Sequence, residues 1–255
     1  MDQNLNLLER LLRSLGVSRI RKGDWIRYLE FPSDFSDAHV DLHRQVERFT
    51  LTRPERTFAL VEAVRYLCEA NISGSFVECG VWRGGSVMAM AYSLSALNAQ
   101  RDIYLFDTFE GMTAPSTYDI SVAGERAQLK FEKTKTGKNS SDWDYASLGE
   151  VRENVFGTGY DPSRFHFIKG RVEETLPEHS PGEIALLRLD TDFYESTKHE
   201  LMYLYPRVVS GGIIIVDDYG HWKGAARAVD EFLAELPTPV FLNRIDFAAR
   251  LIVKS

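Results

Sequence analysis

The chain has 255 residues, 44% of them hydrophobic and 26% charged, which fits one large α/β domain with additions, composed like a soluble globular protein. A net charge of -7 and a pI near 5.5 argue against nonspecific binding to nucleic acid or an anionic membrane. Only Cys68 and Cys79 are present, so no disulfide framework is implied and a reducing, cytoplasmic compartment is expected; no leader pattern follows Met1 and no apolar stretch is long enough to span a bilayer.

Residues 1–50 read as an N-terminal helical arm. Leu5, Leu8, Leu11, Leu12 and Leu15 follow helical spacing up to Gly16. The aromatic stretch with Trp25, Tyr28, Phe31 and Phe35 has no clear period, and it fits docking on a substrate pocket, on a second subunit or on the chain's own core. The main domain spans 51–255. Its first helix is expected over 55–69, with Phe58, Val61, Val64 and Leu67 inward.

Residues 74–97 read strand, glycine turn, helix. The strand is 76–79, and Gly80, Gly84 and Gly85 let the backbone turn and approach a ligand closely. The helix from Ser86 would face that ligand with its N-terminus. A second strand, 102–107, ends on Asp107, followed by a turn that starts at Thr108. An acid at that position grips a ribose in nucleotide-binding folds. Residues 112–145 change character and read as a lid insertion. Its run Lys133-Thr-Lys-Thr-Gly-Lys-Asn-Ser-Ser141 lacks an apolar anchor, which favours a solvated flexible loop over an anion-binding patch. A helix is expected over 145–156, a strand over 164–169 closed by Gly170, and a connector over 176–181.

Two further runs each end in paired acids, Ile184-Ala-Leu-Leu-Arg-Leu-Asp-Thr-Asp192 and Gly211-Gly-Ile-Ile-Ile-Val-Asp-Asp218. Short apolar runs of this kind read as strands buried on both faces of a parallel sheet, whose carboxyl ends hold ligands. As neighbours they bring Asp190, Asp192, Asp217 and Asp218 into one small volume, where a hard cation or a proton must relieve the repulsion. The alternative is that these acids only cap the following helices. Helices over 196–205 and 224–236 and strands over 240–242 and 248–253 complete the chain. The last two strands are joined too closely for a crossover and should pair antiparallel. The fold expected is thus α/β, a doubly wound, seven-stranded, Rossmann-like sheet with an antiparallel C-terminal strand pair.

Glu78-Cys-Gly-Val-Trp-Arg-Gly-Gly is not the dinucleotide fingerprint, because Glu78 stands where a glycine would meet a pyrophosphate. An acid suits a ligand ammonium instead. S-adenosylmethionine offers an ammonium, a sulfonium and a ribose without phosphate, so the pattern suits a methyltransferase.

The runs Phe76-Val-Glu-Cys-Gly-Val-Trp-Arg-Gly-Gly, Leu187-Arg-Leu-Asp-Thr-Asp-Phe-Tyr-Glu-Ser-Thr, Tyr205-Pro-Arg-Val-Val-Ser-Gly-Gly and Ile215-Val-Asp-Asp-Tyr resemble the TylF-type macrocin O-methyltransferases over about residues 50–235. That family holds sugar methyltransferases of antibiotic pathways, the noviose methyltransferase of novobiocin biosynthesis among them. The resemblance implies a Mg²⁺ site at Asp190, Asp217 and Asp218, and Asp192 as general base. It also implies a S-adenosylmethionine site lined by Glu78, Gly80, Ser86, Asp107, Thr108 and Asp190, with Gly170 and Val172 near the adenine. His221 is a rival base because it follows Asp218 and titrates in the useful range. The acceptor implied is a small-molecule glycoside or nucleotide sugar, and a homo-oligomer is expected. A catechol or other phenol acceptor, a metal-dependent hydrolase and a non-catalytic binding module are the competing readings.

Overall fold

The computed structural model describes residues 31–255. The expected helix at 5–15 and the aromatics Trp25 and Tyr28 lie outside that range. Seven strands form one sheet: β1 (Ser75–Cys79), β2 (Ile103–Asp107), β3 (Phe165–Lys169), β4 (Ile184–Leu189), β5 (Val208–Val216), β6 (Asn243–Arg244) and β7 (Arg250–Val253). Their order is β3-β2-β1-β4-β5-β7-β6. The first five run parallel, and β7 pairs antiparallel with both β5 and β6. The chain goes outward from β1 to β3 and then returns to β4 on the other side of β1. The space above β1 and β4 is therefore the topological switch point, where open α/β sheets bind ligands.

The central strands bury both faces. All six residues of β4 are buried. Phe76, Leu186, Ile213 and Ile215 enter one core, and Val77, Leu187, Ile214 and Val216 enter the other. This period-two division follows from the pleat. Helices α1 (Asp37–Val46), α2 (Pro54–Glu69), α3 (Gly85–Ala96) and α5 (Leu148–Phe156) supply buried residues to the first core. Helices α6 (Val172–His179), α7 (Tyr194–Leu204) and α8 (Lys223–Ala234) supply them to the second. Pro54 sits in the first turn of α2, where its missing N–H costs nothing, and Leu60, Val64 and Leu67 form the buried stripe.

Of the aromatic stretch, the described Phe31 and Phe35 pack on this chain's own core. Phe31 and Phe35 are buried with Val40, and Phe35 stacks on Phe58 of α2 at 4.5 Å between ring centroids.

Residues 112–145 are tied down more firmly than their composition suggests. They contain α4 (Ala127–Thr134), and Ala127, Phe131 and Trp143 pack with Phe193, Trp222 and Ala225. Asp119 is buried and accepts the Tyr194 amide at 2.8 Å. The loop exposed at 135–138 is closed by a Lys135–Ser141 bridge, with Ser141 itself buried. The anchors are apolar residues on either side of the lysine run.

Three local expectations need correction. Residues 176–181 are not all connector, because α6 runs from Val172 to His179 with Val172 and Leu176 buried one turn apart. The helix expected from 145 starts at Leu148, where the Ser147 hydroxyl accepts the Glu150 amide. Residues 240–242 form no strand. The edge pairing falls on Asn243 and Arg244, with Phe241 left 82% exposed. No helix among the described residues is long and apolar enough to cross a membrane.

Candidate functional site

A cavity of about 460 Å³ opens at the carboxyl ends of β1, β2, β4 and β5. Every candidate residue from the sequence lines it: Glu78, Gly80, Ser86, Asp107, Thr108, Gly170, Val172, Asp190, Asp192, Asp217, Asp218 and His221. Backbone bonds stitch the strand ends together. The Asp190 amide donates to the Cys79 carbonyl at 2.8 Å, the Asp217 amide to Leu189 at 2.9 Å, and the Gly170 amide to Asp107 at 2.9 Å. Gly80 permits this closeness. It has φ +80°, and a Cβ there would lie 2.0 Å from the Asp190 carbonyl oxygen.

On the β1–β2 side, Asp107 braces the glycine turn. One carboxylate oxygen accepts the amides of Val81 at 2.7 Å and Trp82 at 3.2 Å, and the other accepts the Phe109 amide at 2.7 Å. Burial nevertheless raises its carboxyl above the ordinary range. Glu78 is 1% exposed, and one of its oxygens is paired with Arg188. Its Oε2 is buried and has no partner. Burial pushes the Glu78 carboxyl up to about 8 against the pull of Arg188. Glu78 lines the cavity, and a residue with an unpaired acceptor fits a ligand donor such as an ammonium.

On the β4–β5 side, Asp190, Asp217 and Asp218 each offer an oxygen, and these atoms lie within 4.8 Å of one another. Asp218 Oδ2 is buried without a partner. Burial, followed by repulsion from Asp192, Asp190 and Asp217, raises the Asp218 carboxyl well above the usual range. Oxygen donors, surplus negative charge and an orphaned carboxylate oxygen are what a hard divalent cation requires. Asp192 is also pushed up by burial, to about 7, with Asp190 adding to the shift. Its Oδ1 accepts the Trp222 indole N–H at 2.9 Å. His221 lines the same cavity, half-buried, and its imidazole is lowered by burial and by Arg56.

Two arginines hold the carboxylates, and sequence reasoning missed both. Arg188, 2% exposed in mid-strand, pairs with Glu78, with Asp190 at 2.7 Å and with Asp217 at 2.6 Å. Arg56 of α2 pairs with the other oxygen of Asp217 and with Asp246 at 2.9 Å. A charged residue inside Leu186-Leu187-Arg188-Leu189 was the available signal, because a buried guanidinium must be paired.

A family profile described as Macrocin-O-methyltransferase (TylF) matches residues 32–252. Demethyldecarbamoylnovobiocin O-methyltransferase of Streptomyces niveus is 34% identical over 177 residues, covering 69% of this chain and 64% of that protein. The 8-demethyl-8-(2,3-dimethoxy-alpha-L-rhamnosyl)-tetracenomycin-C 4'-O-methyltransferase of Streptomyces olivaceus is 34% identical over 171 residues, covering 67% and 62%. The chain thus spans somewhat less than two thirds of the length of these relatives. Among solved structures, the O-methyltransferase NovP superposes with a TM-score of 0.72 at 30% identity, covering 81% of this chain and 82% of that one.

Proposed function

This chain belongs to the macrocin O-methyltransferase (TylF) family, and from that premise we propose that it methylates a sugar hydroxyl of a natural product or related glycoside. S-adenosylmethionine is the methyl donor in this reading. The observation that carries it is one cavity at the switch point that is lined both by Glu78, with its unpartnered oxygen, and by an acidic triad.

The Glu78 oxygen receives the donor's ammonium, Asp107 and Thr108 take its ribose, and Gly170 and Val172 flank its adenine. Asp190, Asp217 and Asp218 would hold Mg²⁺, which would supply Lewis acidity at the acceptor hydroxyl. Asp192 stands beside that triad and is the proton acceptor. A C–S bond breaks and a C–O bond forms as the methyl group moves. The hydroxyl proton passes to Asp192, and S-adenosylhomocysteine departs. Asp192 lines the cavity next to the triad, within reach of a proton released there. The Trp222 indole fixes its direction, and the packed insertion beside Trp222 restricts water.

The test is incubation with S-adenosylmethionine, Mg²⁺ and a panel of rhamnosides with free vicinal hydroxyls, followed by mass spectrometry. Methylated glycoside is expected, and Asp192→Asn should lower kcat about 100-fold or more. Transfer to no diol-bearing glycoside, or a wild-type rate in the Asn variant, contradicts the reading.

A further inference from the structure

The turn at Asp190-Thr191-Asp192 has a geometry that ligand binding alone does not account for. Asp192 has φ +67°, in the left-handed region that non-glycine residues rarely enter. The Phe193 amide donates to the Thr191 carbonyl at 2.8 Å. That bond closes a γ-turn centred on Asp192, and the positive φ makes it the uncommon, strained form. Such a conformation persists only where neighbouring groups hold it.

Three groups do so. The Trp222 indole donates to Asp192 Oδ1 at 2.9 Å. The Ser196 hydroxyl lies 3.4 Å from the Thr191 carbonyl and 3.1 Å from that of Phe193. The Thr191 hydroxyl donates to Glu200 Oε1 at 2.8 Å. Glu200 is the unexpected member. It is fully buried in α7, its second oxygen has no partner, and no ion pair reaches it among the described residues. Burial pushes its carboxyl up to about 8. Packing alone would be served better by an apolar side chain, since a buried unpaired acid is costly. Its one hydrogen bond goes to the residue between a metal-ligand candidate and the base candidate.

We propose that Glu200 and Thr191 form a clamp that holds the strained turn and thereby aims the Asp192 carboxylate into the cavity. Both are positioning residues, and neither touches the reacting atoms. The importance of that aim rests on the proposed function above, but the clamp itself is tested without any turnover.

The probe is the Trp222 indole N–H signal, assigned among the chain's 4 tryptophans by Trp222→Phe. Thr191→Val keeps the shape of the side chain and removes the hydroxyl. It should move the indole resonance toward that of a free indole and speed its exchange with solvent about tenfold or more, as a lost hydrogen bond implies. Thr191→Ser keeps the hydroxyl and should restore the wild-type signal. If a bare Glu200 prevents Thr191→Val from folding, Thr191→Val/Glu200→Leu removes both partners and should fold with the same displaced signal. An unchanged indole signal in the folded variants, or an equal displacement in Thr191→Ser, overturns the clamp. That failure would leave the methyltransferase reading standing. A displaced indole signal in a protein that methylates no glycoside would overturn the function and keep the clamp.

Discussion

Replacing Arg188 by Met should destabilise the protein strongly, and the structure says where the cost falls. The guanidinium is buried and pairs with three carboxylates. Asp217 keeps Arg56 as a second partner, and the Asp190 side chain is 27% exposed to solvent. Glu78 keeps nothing: its Oε1 loses Arg188, and its Oε2 already has no partner. Removing one side of a buried pair costs about 3–5 kcal/mol, because the carboxyl left behind stays buried with no partner on either oxygen. For a domain of this size, each kcal/mol moves the thermal midpoint by about 2 °C, so a fall of roughly 6–10 °C is expected. Calorimetric or fluorescence-detected melting in metal-free buffer measures it. Arg188→Met/Glu78→Met replaces both buried partners by apolar side chains and should recover most of the loss. A midpoint within about 2 °C of wild type, given those magnitudes, would refute the reasoning. A double variant as unstable as the single one would do the same.

Gly80→Ala should disturb the joint between β1 and β4, since its Cβ would meet the Asp190 carbonyl oxygen at a positive φ. A loss of about 2 kcal/mol or more in urea unfolding, with weakened Mg²⁺ binding by calorimetry, is expected. Stability should also depend on pH through Glu200. Its folded-state carboxyl is raised to about 8, above the ordinary 4.5. The folded state therefore binds the extra proton between those values, and stability falls as pH rises through that window, by up to about 5 kcal/mol. Glu200→Gln should flatten that part of the profile, and an unaltered profile would show that the acid ionises without penalty. Trp143→Ala should loosen the insertion from Trp222 and Phe193. Limited proteolysis would then cut faster at the exposed 135–138 loop. In the wild type, added S-adenosylhomocysteine should slow the cut if the insertion acts as a lid, and no change would count against a lid.

The sheet was legible because its strands are short apolar runs that stop on acids. Glu78, Asp107, Asp190, Asp217 and Asp218 all lie at or beyond the ends of such runs, and parallel pairing carries them to one rim. What supports those acids was not legible. Arg188 finds its partners across the neighbouring strands at Glu78 and Asp217, and Arg56 reaches Asp217 and Asp246 from a helix far away in sequence. Pairings of that kind follow from topology and not from local pattern. The packing of the insertion was not legible for a related reason. Its lysines are exposed, whereas Phe131 and Trp143 beside them are buried under an aromatic cluster built by distant residues. At the sheet edge, propensity favoured Val240-Phe241-Leu242, yet pairing with β7 selected Asn243 and Arg244. Register there is set by the partner strand.

The most direct test of the account is calorimetric titration of S-adenosylhomocysteine into the purified protein, with Mg²⁺ and after chelation. One molecule should bind per chain, and Mg²⁺ should bind wild type but not Asp217→Asn/Asp218→Asn. Absence of S-adenosylhomocysteine binding by the wild type under both conditions would contradict the methyltransferase assignment of this cavity.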